Sequence, residues 1–219
     1  MDTRGADSPA GRAARAAAVL ATVTVVAVAL VSVVHERTRP QIEASARAAR
    51  LAQLGAVLGS LAYDNDPLSD TIKVHDPELL GSEDPLVAHR VRRGGATVAV
   101  LLNAVARDGY AGPIRLLVAV DPAGRLLGAR VLEHRETPGL GDLVDARRSD
   151  WILGFDGRAL GDPPPARWAV RKDGGDFDQF TGATVTPRAV VRGVRRALEY
   201  VERHRQELFA AAPAAQPAP

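Results

Sequence analysis

The hydrophobic positions change their spacing several times along the chain. Residues 16–34 (AAAVLATVTVVAVALVSVV) carry no charge over 19 residues, which at ~1.5 Å per residue approaches the ~30 Å of a bilayer core. Arg4, Arg12 and Arg15 precede this stretch and favour a cytoplasmic N-terminus, although Arg37 and Arg39 after it reduce the asymmetry. A cleaved signal peptide is the competing reading, with Ala27-Val28-Ala29 resembling a cleavage site, but apolar residues continue through Val34, beyond a typical h-region. The expectation is an uncleaved single-pass anchor; under either reading the remainder lies outside the cytoplasm. Pro40 is expected to break the helix or to start a new one. Ile42, Ala46, Ala49, Leu51, Leu54 and Leu58 then recur near helical spacing, predicting a helix that connects anchor to domain. Residues 63–90 are rich in Asp and Pro and suit turns and short strands.

From there the period falls to two. Residues 97–106, 114–120 and 126–132 are β-rich runs separated by Asp108-Gly109 and Asp121-Pro122-Ala123-Gly124, turn signals that predict an antiparallel meander. Residues 151–155 predict a short helix or strand, and 166–171 a further strand. The last element is an amphipathic helix. Thr186 is placed as its cap and Pro187 at its first position, with Val190, Val191, Val194, Ala197, Leu198 and Val201 on one face opposite Arg188, Arg192, Arg195 and Glu202. Residues 210–219 form a Pro/Ala tail expected to be disordered. The pattern as a whole predicts an α+β chain: a transmembrane helix, then an antiparallel sheet with packed helices.

Composition narrows the chemistry. Lys and Arg number 28 against 26 acidic residues, a net charge of +2, and no basic cluster interleaved with aromatics appears, so no nucleic-acid partner is expected. There are no cysteines, which removes disulfides, Cys-ligated zinc, iron–sulfur clusters and c-type haem. Any redox role then needs an organic cofactor. His35, His75, His89, His134 and His204 show no metal-ligand spacing, so no metal site is expected. Neither G-x-S-x-G nor G-x-G-x-x-G occurs, against a hydrolase elbow or a Rossmann site. No independent catalytic residue is evident. Trp151 and Trp168 read as core.

The segment from Asp173 to Pro187 (DGGDFDQFTGATVTP) is a Gly-containing, hydroxyl-rich loop that delivers the chain into a helix N-terminus. Such a terminus has unpaired N–H groups and the positive end of the helix dipole, so it suits a phosphate. Gly182 and Ala183 leave room beside the Thr184 hydroxyl. On these grounds alone an ordinary capped helix is the favoured reading over a phosphate site.

The segment also resembles a specific signature. Asp178-x-x-Thr181-Gly182-Ala183-Thr184 matches D-x-x-[S/T]-G-A-T of FMN-binding domains that become flavinylated. Further motifs follow in the same order: Tyr63-Asp64-Asn65-Asp66, Gly109-Tyr110, the run from His134 to Asp142 (HRETPGLGD), Ser149-Asp150-Trp151-Ile152 and Asp173-Gly174-Gly175. From the anchor onward the chain resembles the G-type subunit family of Rnf-type ion-translocating electron transport complexes. One subunit of the sodium-pumping NADH:quinone reductase is a more distant likeness. Departures are Arg135, where the family often has Lys, and Pro187, where relatives commonly have Ser.

The resemblance implies an electron-carrier subunit whose FMN is joined by a phosphoester to Thr184, with Asp178, Thr181, Gly182 and Ala183 around it. It places Glu136, Thr137, Pro138, Gly139, Leu140 and Gly141 against the flavin ring, where small residues permit close stacking; without it, that loop reads as a tight turn. His134 and Glu136 become candidates for hydrogen bonds to the ring or to a partner protein, and a structural salt bridge of Glu136 stays open. Implied partners are the other subunits of the complex, a flavin transferase that uses FAD and a divalent metal, and the lipid bilayer. The implied location is the bacterial inner (cytoplasmic) membrane, N-terminus cytoplasmic and FMN domain periplasmic. The division that follows is a tail over 1–15, the anchor over 16–34, a connecting helix and the start of the outer domain over 35–90, the FMN-binding domain over 91–209 and a tail over 210–219. Gly95-Ala96-Thr97-Val98 repeats the letters of Gly182-Ala183-Thr184-Val185, but Val91 and Gly94 stand where Asp178 and Thr181 do, so Thr97 is expected to stay unmodified. Two other classes remain: an extracytoplasmic solute-binding or scaffold protein, and a flavin-dependent reductase acting alone.

Overall fold

The computed structural model describes residues 9–211, and these fall into two compact units divided between Arg50 and Leu51. The first unit is helical. Helix α1 (Pro9–Leu58) is 50 residues long and is the one helix among the described residues long and apolar enough to cross a membrane. Its apolar stretch is unburied, with Leu20 68% and Val25 66% exposed. Such a surface is stable only against a nonaqueous medium or a partner. The helix already includes residues 9–15, expected as part of a polar tail, and it does not break at Pro40. Pro40 lacks an N–H and leaves the Glu36 carbonyl without its usual donor. Both residues are exposed, so that carbonyl can bond outside the helix, and the Thr38 hydroxyl donates to the Val34 carbonyl at 2.9 Å beside it. All but residues 210 and 211 of the expected disordered tail lie outside the described residues.

The second unit is built on a five-stranded antiparallel meander: β1 (Thr71–Val74), β2 (Leu86–Arg93), β3 (Ala96–Ala106), β4 (Ile114–Val120) and β5 (Leu126–Glu133), paired in chain order. Successive side chains on a strand point to opposite faces, and here both faces are covered. Val100, Leu102, Ala104 and Ala106 of β3, with Ile114, Leu116, Val118 and Val120 of β4, enter the main core. Between them, Ala99, Leu101, Leu117 and Ala119 meet Leu54, Val57 and Leu58 from the end of α1. Double coverage explains why β3 and β4 read as nearly continuous apolar runs.

The main core is closed by helix α3 (Val185–Arg203), which buries Ala189, Val190, Val191, Val194, Ala197, Leu198, Tyr200 and Val201. Burial of each Val or Leu stabilises by roughly 1.5–3 kcal/mol, so the helix is pinned to the sheet along its length. Two four-residue helices, α2 (Pro77–Leu80) and α4 (Arg205–Leu208), add Leu79, Leu80 and Leu208. Residues 151–155 lie in a 3₁₀ helix, Asp150–Phe155, capped by Ser149, whose hydroxyl accepts the Trp151 N–H. The strand expected over 166–171 is absent: two 3₁₀ turns, Pro165–Arg167 and Arg171–Asp173, flank a single bridge between Val170 and Phe177. Trp168 is buried there with its indole N–H donating to the Pro163 carbonyl at 3.0 Å, and satisfying that N–H favours a turn over a strand.

Candidate functional site

The loop from Asp173 to Thr184 is held from below by aromatic side chains. Phe155 stacks on Phe177 with ring centroids 4.6 Å apart, Trp168 lies 5.2 Å from Phe177, and Trp151 meets Phe180 edge-on at 5.3 Å. The Trp151 indole N–H donates to the Asp178 carbonyl at 2.8 Å. Gly175 passes so close to the backbone of Ala169 that a Cβ would lie 1.7 Å from its carbonyl oxygen, so only glycine fits. Arg188 forks onto the Asp173 carboxylate at 2.5 and 2.6 Å, while Arg171 pairs with the exposed Asp178 carboxylate at 2.8 Å. The chain then turns tightly, the Ala183 N–H donating to the Phe180 carbonyl at 3.1 Å. Gly182 sits in that turn at φ +80°, a conformation that disfavours every residue with a side chain.

Helix α3 starts immediately after Thr184. Its capping residue is Thr184, not Thr186, and Pro187 is the third residue of the first turn. Thr184 has helical angles (φ −76°, ψ −25°) and its side chain makes no capping hydrogen bond. Among the described residues no group pairs with its hydroxyl, and no acceptor takes the N–H groups of Val185 and Thr186; the Arg188 N–H makes the first bond back, to Thr184 O at 3.3 Å. A half-buried hydroxyl thus stands beside free N–H groups at the positive end of a 19-residue helix.

Thr186 is drawn inward because its hydroxyl donates to Glu136 Oε2 at 2.5 Å. Glu136 is 4% exposed, and its other carboxylate oxygen accepts the Ala111 N–H at 3.0 Å. No salt bridge of Glu136 forms among the described residues. The loop after it, Thr137 to Gly141, folds its amides onto one oxygen, the Leu140 and Gly141 N–H groups reaching Thr137 O at 3.2 and 3.1 Å. Asp142 Oδ1 accepts the Gly139 N–H at 2.7 Å. Leu140 is 44% exposed and reaches over Gly182, its Cδ2 lying 3.8 Å from where a Cβ would stand. The two segments singled out from the sequence, though far apart along the chain, are therefore neighbours. Leu140 of the first segment meets Gly182 of the second.

Beside this loop an open cavity of about 460 Å³ is lined by His134, Glu136, Pro138, Asp142, Asp145, Arg147 and Arg148. Asp142 and Asp145 are each 5% exposed; Arg148 holds the first at 2.8 Å and Arg147 the second at 2.6 Å. The Arg147 side-chain hydrogen bond, opposed by burial and aided by the Arg147 backbone N–H and the charges of Arg147 and His134, holds the Asp145 carboxyl below its ordinary 3.8. A carboxyl more acidic when folded binds fewer protons than in the unfolded chain. Its stabilisation is present above the ordinary value and is lost as pH falls through the depressed one. Arg147→Gln is expected to move Asp145 titration upward and to bring the acid-side loss of stability to higher pH. Melting temperatures measured from about pH 6 down to 2 check this; identical profiles would contradict it.

The contributions that sequence reasoning missed are the supporting roles of Trp151 and Thr186, and the Ala111 N–H. The copy of the motif at Thr97 lies on β3, following the Gly94-Gly95 turn. Its hydroxyl accepts from Arg92 at 2.8 Å and donates to the Ala210 carbonyl at 3.1 Å, so it is already engaged within the protein.

The family model for FMN-binding domains matches residues 109–199, which include both loops and the start of α3. A second, for the RnfG N-terminal region, matches residues 11–57, almost the length of α1. A protein of Pseudomonas aeruginosa, named as the G-type subunit of an ion-translocating oxidoreductase complex, is 51% identical over 181 residues, covering 83% of this chain and 85% of that one. Proteins of the same name from Vibrio atlanticus (46%; 83% and 86% of the two chains) and Cereibacter sphaeroides (46%; 84% and 82%) are similar over the same extent.

Proposed function

The chain belongs to the G-type subunit family of ion-translocating oxidoreductase complexes, and on that premise we propose that it relays electrons within such a complex through FMN linked by a phosphoester to Thr184. The observation that carries this reading is the unpaired Thr184 hydroxyl beside the free N–H groups of Val185 and Thr186. FMN, when bound, supplies reversible one- and two-electron chemistry.

The residues present fit the group. The helix start offers donors and a positive potential to a phosphate, and among the described residues none beyond the chain neighbours of Gly139 comes within 4 Å of the site a Cβ would take on it. Thr184 holds the phosphate by its covalent bond, with Gly182 and Ala183 giving clearance and Thr181 and Asp178 shaping the approach. The Thr137 to Gly141 backbone and Leu140 provide a narrow surface for the ring. Esterification joins Thr184 Oγ1 to the FMN phosphorus of FAD; the pyrophosphate bond breaks, AMP leaves and the hydroxyl loses its proton. A separate flavin transferase with a divalent metal performs this step. Thr184 then acts as an attachment point and takes no part in electron transfer.

Residues 16–34 anchor the protein in the bacterial inner membrane by a single span, with the N-terminus cytoplasmic and the FMN-binding domain, residues 91–209, periplasmic. A tether has a clear use there, because FMN lost outside the cytoplasm is not readily replaced. No feature resembles an NADH site, so electrons come from and pass to other subunits. The test is peptide mapping of protein purified from its native membrane and denatured. One peptide containing Thr184 is expected to carry the mass of FMN less one water. Flavin that leaves on denaturation, or that maps to another residue, would overturn the assignment.

A further inference from the structure

We propose that Glu136 and Thr186 form a positioning pair that sets the Thr184 hydroxyl for esterification, an inference that rests on Thr184 being the attachment site. Glu136 is almost wholly withdrawn from solvent and forms no salt bridge among the described residues, where its side chain is held by the Thr186 hydroxyl and the Ala111 N–H. Burying such a group is costly unless its hydrogen bonds are well made. The surroundings are shaped to admit it. A Cβ on Gly141 would lie 2.9 Å from both Glu136 Oε2 and Thr186 Oγ1, and one on Gly109 would lie 2.9 Å from Glu136 Oε1 and 2.2 Å from the Gly112 carbonyl oxygen.

The consequence falls on Thr184. Its own side chain does not anchor the helix start, so the rotational setting of the first turn needs another tie. Thr186 is two residues further on, 1% exposed, and its single donated bond fixes that turn against Glu136. Glu136 in turn leads directly into Thr137, so one carboxylate joins the segment that carries the hydroxyl to the segment that packs Leu140 over Gly182. Both carboxylate oxygens are committed to Thr186 and Ala111, and no bond from Glu136 reaches Thr184. Glu136 is therefore a positioning residue and not the base that takes the Thr184 proton.

The experiment follows the rate of covalent FMN incorporation into the full-length, unflavinylated chain, with flavin transferase, FAD and magnesium, read by intact mass. Thr186→Val keeps the shape and removes the donor; its rate is expected to fall on the order of 10- to 100-fold in a chain that stays folded, with a melting temperature lowered by the carboxylate oxygen left unpaired. Thr186→Ser restores a hydroxyl and is expected to return the rate to within about threefold of wild type, a rescue that a purely structural role for the methyl group would not give. A wild-type rate in folded Thr186→Val overturns the pair. If that variant does not fold, Glu136→Gln decides: a slowed rate in a folded chain supports the pair, and a wild-type rate overturns it. Unfolding of both variants assigns the pair to stability alone and also overturns the positioning role. Failure of the wild-type chain to take FMN on Thr184 would instead sink the attachment reading.

Discussion

Thr184→Val is expected to yield a folded, membrane-bound chain with no covalent flavin. Valine matches threonine in shape and removes only the oxygen that the phosphoester requires. At an ordinary cap this exchange costs about 0.5–2 kcal/mol, because a capping hydrogen bond is lost. Thr184 makes no such bond, so the change in stability should stay within about 0.5 kcal/mol. Fluorescence of the protein band after denaturing electrophoresis should drop to background, with the melting temperature unchanged. Thr184→Ser, which keeps a hydroxyl at the helix start, primary in place of secondary, should retain flavin. Thr97→Val should retain it in full, since the Thr97 hydroxyl is committed to Arg92 and Ala210. Flavin fluorescence in Thr184→Val equal to that of wild type would remove Thr184 as the attachment point.

The contrast between Thr97 and Thr184 indicates what a sequence can convey. The same four letters stand at both places, and what differs is the element entered next: a strand whose hydroxyl is used inside the fold, or a helix whose hydroxyl is left over. That difference was legible, because alternation after Gly95 and helical spacing after Pro187 are local signals. The runs of β3, β4 and β5 were legible from their β-rich composition and from the Gly and Asp of the turns between them, whereas β1 and most of β2 lie in a stretch that read only as turns and short strands. The pairing of Glu136 with Thr186 was not. Its partners are 50 positions apart, and nothing near either residue marks the contact, so Thr186 read as an ordinary cap. The helix boundary was misplaced as a result: a buried carboxylate outweighed local capping preference and drew the first turn inward. Pro40 misled in the opposite direction. A proline halts a helix where its lost hydrogen bond cannot be compensated, whereas the exposed carbonyl it frees in α1 can bond outside the helix. The strand expected over 166–171 failed because the Trp168 indole N–H required the Pro163 carbonyl, a demand that β propensity does not record.

Phe155→Ala should produce the reverse of the Thr184 result, a large loss of stability with attachment intact. Phe155 has no exposed surface and is central to the aromatic cluster, stacked on Phe177 at 4.6 Å and edge-on to Trp151 at 5.4 Å, with Trp168 at 6.3 Å. Removing its ring opens a cavity among three rigid side chains that collapse poorly into it, and Phe→Ala changes of this kind cost about 3–5 kcal/mol. In a unit of this size each kcal/mol moves the melting temperature by about 2–4 °C, so a fall of roughly 6–20 °C is expected. Phe155→Leu, which refills most of the space, should lose much less. The ring partners of Phe155 are Trp151, Trp168 and Phe177, and none of these is Thr184, Glu136 or Thr186, so below its lowered melting temperature Phe155→Ala should still carry FMN at wild-type stoichiometry. The two variants together separate the support of the loop from the chemistry at its end. If Phe155→Ala remained stable but lost its flavin, the aromatic cluster would belong to the attachment site, and the division between core and site would be wrong.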